Sequence, residues 1–301
     1  MKKLIIAGGT GFLGQALCRE LTKEFDRIVV LSRSKHKQES NITYLTWDAE
    51  TFGDWCRELE GATAVINLCG KSVDCRYTEK NKALIFSSRL NSTRLIAQAI
   101  SQCNTPPLVW INGASATIYR HSETQKMTES SGEIGSGFSV EVCKAWEHLV
   151  EEAELPHTRK INLRLAMVLG TSGGVYPELM KVVKRGLGGT MGKGTQQMSW
   201  IHVSDFCRMV LWLINKPDAQ GVYNCVAPMP VINKRLMQLL RKKAGRMFGL
   251  PASELLLTIG AFVIGTETEL ILKSRYAYPE RALKEGFVFN FETIDQSLAD
   301  F

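Results

Sequence analysis

The sequence predicts an α/β fold, a parallel sheet covered by helices on both faces, and three observations predict it. Apolar strand-like runs alternate with helical patterns from the start of the chain to Gly170. Two of those runs, "LIIAG" and "IVVLS", are continuously apolar, as strands buried on both faces must be. The first run opens directly into GxxGxxG at Gly8, Gly11 and Gly14, and the helical "FLGQALCREL" follows at once. A strand, a glycine turn and a helix N-terminus in that order begin a Rossmann-type sheet.

Taken in order, "KLIIAG" is the first strand, Phe12 to Lys23 the first helix and "RIVVLS" the second strand. "AVINLCG" reads as a strand, Leu90 to Gln102 as a helix, "PLVWING" as a strand, Val142 to Ala153 as a helix and "KINLRLAMVLG" as a strand. After Leu169 and Gly170 the rhythm changes to the glycine-rich "GLGGTMGKGT", Gly186 to Thr195, and then "SWIHVSDFCRMVLWLI". "GVYNCVA" is a last strand, and Pro228 and Pro230 separate it from a helix-rich tail. The reading therefore divides the chain into a nucleotide-binding domain over 1–225 and a smaller C-terminal substrate-side region over 226–301.

Composition narrows the function classes. A chain of 301 residues, 45% apolar and of net charge +7, can bury a full core. Its eight cysteines show no CxxC and no His/Cys ligand spacing, so neither a disulfide nor a metal site is expected. The N-terminal "LIIA" is too short for a signal-peptide core, and a cytoplasmic protein is expected. Leu255 to Gly265, "LLLTIGAFVIG", falls short of the roughly 20 residues a membrane helix needs and reads as a buried helix or an association surface. Basic groups such as Arg241-Lys242-Lys243 lack interleaved aromatics, which argues for a solvated face over nucleic-acid binding.

The glycine turn carries the first chemistry. Gly8, Gly11 and Gly14, with Thr10, Phe12 and Leu13 among them, bring backbone N–H groups and a helix N-terminus to a pyrophosphate. The second strand ends in "VVLSRSKHK", where an NAD site would carry an acid about 20 residues beyond the glycines. Ser32 and Arg33 stand there instead, a hydroxyl and a forked guanidinium suited to a 2′-phosphate. NADP(H) is the expected cofactor.

"GGTGFLG", "NLCG", "GASATIY" and "WIHVSD" occur in an order and spacing similar to the extended short-chain dehydrogenase/reductase superfamily. "SRLNSTRLIAQAI", "KAWE", "RLAMVLG", "RGLGG" and "YPERALKEGFVFNF" resemble, more narrowly, its atypical epimerase-family branch, sometimes labelled cell-division-inhibitor-like nucleoside-diphosphate-sugar epimerases. The resemblance places Ser32 and Arg33 at the adenosine phosphate, and Leu68 and Cys69 beside the cofactor ribose. It puts Arg89 at the "SRL" position and Val168 near the nicotinamide. It also implies a catalytic serine with YxxxK on a helix, in which lysine and cofactor charge lower the tyrosine pKa for proton transfer.

Ser115 matches that serine and Lys144 the lysine, but Val140 stands four residues before Lys144, and the chain contains no YxxxK. Tyr119 is the nearby candidate for the missing acid/base, against a substrate-side or packing role. Glu123, Glu129 and Glu141 are further proton carriers or a solvated loop, His202 a packed histidine or a base, and Lys193 an anion contact or part of a flexible hairpin. Trp200 is a candidate cleft residue.

Two functions follow. One is an NADP(H)-dependent oxidoreductase or epimerase for a small polar, nucleotide-linked or simpler, substrate; the other is a non-catalytic NADP(H) sensor that binds a protein partner. Neither reading calls for nucleic acid or a membrane span, and a homodimer is compatible with both.

Overall fold

The computed structural model describes residues 1–257, 267 and 269–301. Seven parallel strands form the central sheet: β1 (Lys3–Ala7), β2 (Arg27–Ser32), β3 (Ile42–Thr46), β4 (Ala64–Asn67), β5 (Val109–Ser115), β6 (Arg159–Leu165) and β11 (Gly221–Cys225). Their spatial order is β11-β6-β5-β4-β1-β2-β3. Chain direction across the sheet reverses between β1 and β4, and the crevice beyond the strands' carboxyl ends at that point is where such folds bind ligands.

The period of two along a strand explains the layers. Leu4 and Ile6 of β1 pack with α1 (Phe12–Leu21) and α5 (Val203–Asn215) on one face. Ile5 and Ala7 pack with residues of α2 (Glu79–Ser101) and α3 (Phe138–Glu151) on the other. Both faces are therefore dry, as the apolar runs require.

α2 begins well before the predicted Leu90. Thr78 caps it by accepting from the Asn81 backbone N–H, and its first turns, "EKNKALIFSSR", carry no clean apolar stripe. β3 was missed for a related reason: most of its residues are half-buried and one is exposed at the sheet edge, so "ITYLT" lacks the apolar run of a central strand.

The smaller lobe draws on residues from both sides of position 226. Leu169, Tyr176, Val183 and Trp200 share a core with Val231, Leu236, Leu240 and Leu298. The pairing of β9 (Gln197–Met198) with β12 (Val231–Ile232) joins the two stretches. Most of the apolar run from Leu255 to Gly265 lies outside the described residues. Among the described residues no helix is long and apolar enough to cross a membrane.

Candidate active site

A cleft of about 530 Å³ opens at the carboxyl edge of the sheet, over the ends of β1, β4, β5 and β6. Its floor begins with the glycine turn. Gly8 has φ of 78°, and a Cβ there would press on the Leu68 backbone at 3.0 Å. Gly14 packs so closely on the Gly9 backbone that no side chain fits. At Gly11 the nearest atom to a Cβ is the Gly8 carbonyl oxygen at 3.5 Å, so that position faces open cleft. No side chain caps α1 at Gly11, which leaves its first-turn N–H groups for a ligand. This cradle fits a dinucleotide pyrophosphate.

A buried polar cluster fixes the next wall. The Asn67 amide donates to Thr93 Oγ1 (3.0 Å) and Asn112 Oδ1 (2.9 Å), and its own oxygen accepts from the Cys69 N–H at 3.1 Å. Trp146 Nε1 donates to the same Thr93 hydroxyl at 2.8 Å. β4, β5, α2 and α3 are thereby tied at one point, which sets Cys69 and Trp146 in the cleft wall. Asn67 is visible in "NLCG", but nothing in the sequence links it to Trp146.

The predicted cofactor residues divide by location. Gly8, Gly11, Phe12, Leu13, Gly14, Leu68, Cys69, Arg89 and Val168 all line the cleft, whereas Thr10 does not. Ser32 is buried at the end of β2, its Oγ accepting from the Ser34 N–H (3.2 Å) and lying 3.1 Å from His36 Nε2. Arg33 is exposed and, among the described residues, makes no hydrogen bond or ion pair. Arg89 is held from behind: Nη1 donates to the Lys71 (3.0 Å) and Ile85 (3.2 Å) carbonyls, and the guanidinium sits 5.2 Å from the Trp146 ring centre. Burial lowers its pKa. Burial also pushes the Cys69 and Cys143 thiols up to about 12, which keeps them protonated wall residues.

Of the predicted catalytic trio, the structure brings only Ser115 into the cleft. Its Oγ accepts from the Thr117 N–H at 3.2 Å at the end of β5. Tyr119 is fully buried elsewhere, with its hydroxyl against Arg164 Nη1 (2.8 Å), Asn224 Oδ1 (2.9 Å) and the Thr128 carbonyl (3.1 Å). Lys144 is half-exposed and pairs with Glu141 at 3.3 Å.

The cleft face of α3 carries Ser139, Val142, Cys143 and Trp146. At about 100° per residue, Lys144 projects roughly 140° around the helix from Ser139. The pair sharing the cleft face is therefore Ser139 and Cys143, while Val140 packs on Ile118 and Tyr119.

The phenol that does line the cleft was missed. Tyr77, in the loop before α2, places its hydroxyl 3.4 Å from Ser139 Oγ, and Ser139 Oγ donates to Glu269 Oε2 at 3.1 Å. Burial raises the Tyr77 pKa, so the phenol is protonated at neutral pH. No motif surrounds Tyr77, and only the tertiary fold brings it to α3.

The remaining candidates lie outside the lining. His202 is buried between Phe291 and Phe301, its Nδ1 accepts from the Ser204 N–H at 3.1 Å, and burial lowers its pKa. Glu123 accepts from the Thr195 hydroxyl and Glu129 from the Asn224 N–H, both at 2.9 Å. Lys193 is exposed, and Trp200 is in the smaller lobe's core with Nε1 on the Met229 carbonyl.

A family model described as "NAD dependent epimerase/dehydratase family" matches residues 4–225. The chain belongs to that family. A second model, a domain of unknown function (DUF1731), matches residues 253–301. The chain is 32% identical to the epimerase family protein YfhF of Bacillus subtilis, with 98% of this chain and 96% of that protein covered. It is 29% identical to the chloroplastic SDR39U1 homolog of Arabidopsis thaliana, over 97% of this chain and 84% of that protein. Among solved structures, human epimerase family protein SDR39U1 (isoform 2) with NADPH superposes with TM-score 0.87 at 27% identity, covering 99% and 98% of the two chains. A nucleoside-diphosphate sugar epimerase from Corynebacterium glutamicum gives TM-score 0.78 at 25% identity, with 99% of this chain and 57% of that chain covered. These names carry no cell-division label. The seven-stranded parallel sheet is thus the NAD(P)-binding Rossmann fold of this family.

Proposed function

We propose that the protein is an NADP(H)-dependent oxidoreductase or epimerase that interconverts a carbonyl and an alcohol on a small molecule. One observation carries the reading: the glycine cradle, Ser115 and the Tyr77 phenol line a single cleft. The human relative solved with NADPH supports the choice of cofactor, as do Ser32 and Arg33 at the end of β2. Residues 1–225 then hold the cofactor and line the cleft, and 226–301 back its substrate side, with Glu269 on Ser139.

The bound nicotinamide would supply or accept hydride. Backbone N–H groups at Gly11 and the start of α1 would hold the pyrophosphate, with Leu68 and Cys69 beside the ribose and Val168 near the nicotinamide. Ser115 Oγ–H polarises the substrate oxygen. Tyr77 takes the place of the helix tyrosine that "SVEVC" lacks. Hydrogen bonds run outward from Tyr77 to Ser139 to Glu269, a route by which a substrate hydroxyl loses its proton. Reduction returns a proton along the same route.

The test is nicotinamide turnover against a panel of aldehydes, ketones and nucleotide sugars. Ser115→Ala and Tyr77→Phe should each lower turnover about 100-fold or more with NADPH affinity unchanged. Undiminished turnover in both variants would sink the assignment, and NADPH binding without turnover on any substrate would favour a cofactor sensor.

A further inference from the structure

The substrate end of the cleft has a chemistry that the family name does not suggest. Beyond the glycine cradle and Ser115 its described wall includes Val73, Tyr77, Phe138, Val142, Met167 and Val175, with hydroxyls at Ser72, Tyr77, Thr117 and Ser139. The aromatic part is already assembled: Tyr77 and Phe138 meet edge to face at 4.9 Å, and Phe86 backs Phe138 at 5.7 Å. From this wall, and resting on the function proposed above, we propose that the substrate is an uncharged, largely apolar ketone or aldehyde, or its alcohol, and not a nucleoside diphosphate sugar.

A diphosphate needs cationic or N–H partners when it leaves water. Apart from the α1 N-terminus, which the cofactor pyrophosphate would take, the lining offers one cation among the described residues, Arg89. That guanidinium spends Nη1 on the Lys71 and Ile85 carbonyls and lies against the Trp146 ring, which leaves a single partly engaged cation for the two phosphates of a nucleoside diphosphate.

The mouth beside Tyr77 is acidic as well as basic. Glu267 accepts from the Tyr77 N–H (2.8 Å) and pairs with Arg76 (3.5 Å), while Glu269 takes Lys273 (3.2 Å) and Arg275 (3.4 Å). Arg275 stands outside the cleft lining, and its buried Nε–H has no hydrogen-bond partner among the described residues; Lys82 Nζ, 5.8 Å from the Phe138 ring centre, pairs with Glu79 at 2.9 Å. Residues 258–266 and 268 contain no lysine or arginine. An apolar body against Val73, Phe138, Val142 and Val175, with its one oxygen directed to Ser115 and Tyr77, satisfies the wall without calling on Arg89.

The experiment uses the full chain in two steps. NADPH binding is measured first by fluorescence. Then 2-octanone, acetophenone, UDP and UDP-glucose are each titrated into the NADPH-loaded protein by calorimetry and saturation-transfer NMR. The ketones should bind, Phe138→Ala and the loop variant Val73→Asp should each weaken them about tenfold or more with NADPH affinity retained, and UDP and UDP-glucose should not bind. Capture of UDP or UDP-glucose by the loaded protein overturns the proposal while leaving the NADP(H) reading intact. Failure of both ketones to bind the loaded protein overturns it too. Failure to bind NADPH in the first step removes the functional reading, and this proposal with it.

Discussion

Tyr119→Phe separates a structural tyrosine from a catalytic one. The Tyr119 hydroxyl accepts from Arg164 Nη1 at 2.8 Å and lies 2.9 Å from Asn224 Oδ1 in a site closed to solvent. Removing it strands a charged N–H and an amide oxygen, although Arg164 keeps its double contact with Glu147 at 2.8 and 2.7 Å. Burial opposes the Arg164 charge, but Glu147 and Tyr119 hold its pKa above the ordinary value, so the guanidinium stays charged and feels the loss. A hydrogen bond to a charged group contributes about 1.5 to 3 kcal/mol, and an orphaned buried acceptor adds about 1, for a total of about 2 to 4 kcal/mol. At roughly 2.1 cal/mol/K per residue, 301 residues give an unfolding entropy of about 0.6 kcal/mol/K, so Tm should fall by about 3 to 6 °C. Calorimetric melting with NADPH titration measures both quantities. A Tyr119→Phe protein that melts like wild type but loses turnover would refute the reasoning and restore Tyr119 as the acid/base.

The glycine turn predicts a contrast: Gly11→Val should fold, because the nearest atom to its Cβ is 3.5 Å away, yet lose cofactor binding, whereas Gly14→Val should fail to fold stably because its Cβ collides with the Gly9 backbone. Circular dichroism with an NADPH titration distinguishes the two. Lys144→Ala removes only an exposed pair with Glu141, so stability should change by less than about 0.5 kcal/mol and NADPH affinity not at all. Alkali should destabilise the protein. Cys18 is pushed by burial up to about 11, and Cys69 and Cys143 to about 12, from an ordinary 9.0. Because the folded pKa values are raised, this stabilisation is complete below pH 9.0, shrinks as unfolded thiols release protons first, and is lost by about pH 12. Melting from pH 8 to 11 should show a decline that Cys69→Ala and Cys143→Ala soften, and a flat profile would contradict it.

The fold was legible because burial on both faces writes itself into "LIIAG" and "IVVLS", and because the glycines sit where strand meets helix. The glycine turn on the cleft floor was legible for the same reason, whereas Leu68, Cys69 and Val168, which also line the cleft, came from the family resemblance and not from burial. The catalytic side was less so. Without a tyrosine in "SVEVCKAWE" nothing in the sequence fixes the rotation of α3, and aligning on Lys144 selects a lysine that the fold turns to solvent and a Val140 that it packs away from the cleft. Tyr77 meets Ser139 across 62 residues of chain, a proximity that only packing creates. Asn67 and Trp146 share Thr93 in the same way.

The most direct test of the account is a paired fluorescence titration of NADPH and NADH on wild type and Arg33→Ala. A charge-assisted contact from Arg33 to the 2′-phosphate, at about 1.5 to 3 kcal/mol, predicts that wild type prefers NADPH by about 10- to 100-fold. Arg33→Ala should lose most of that preference while its NADH affinity stays the same. Equal affinities in wild type, or a preference that survives Arg33→Ala, would contradict the assignment of the β2 end as the 2′-phosphate site.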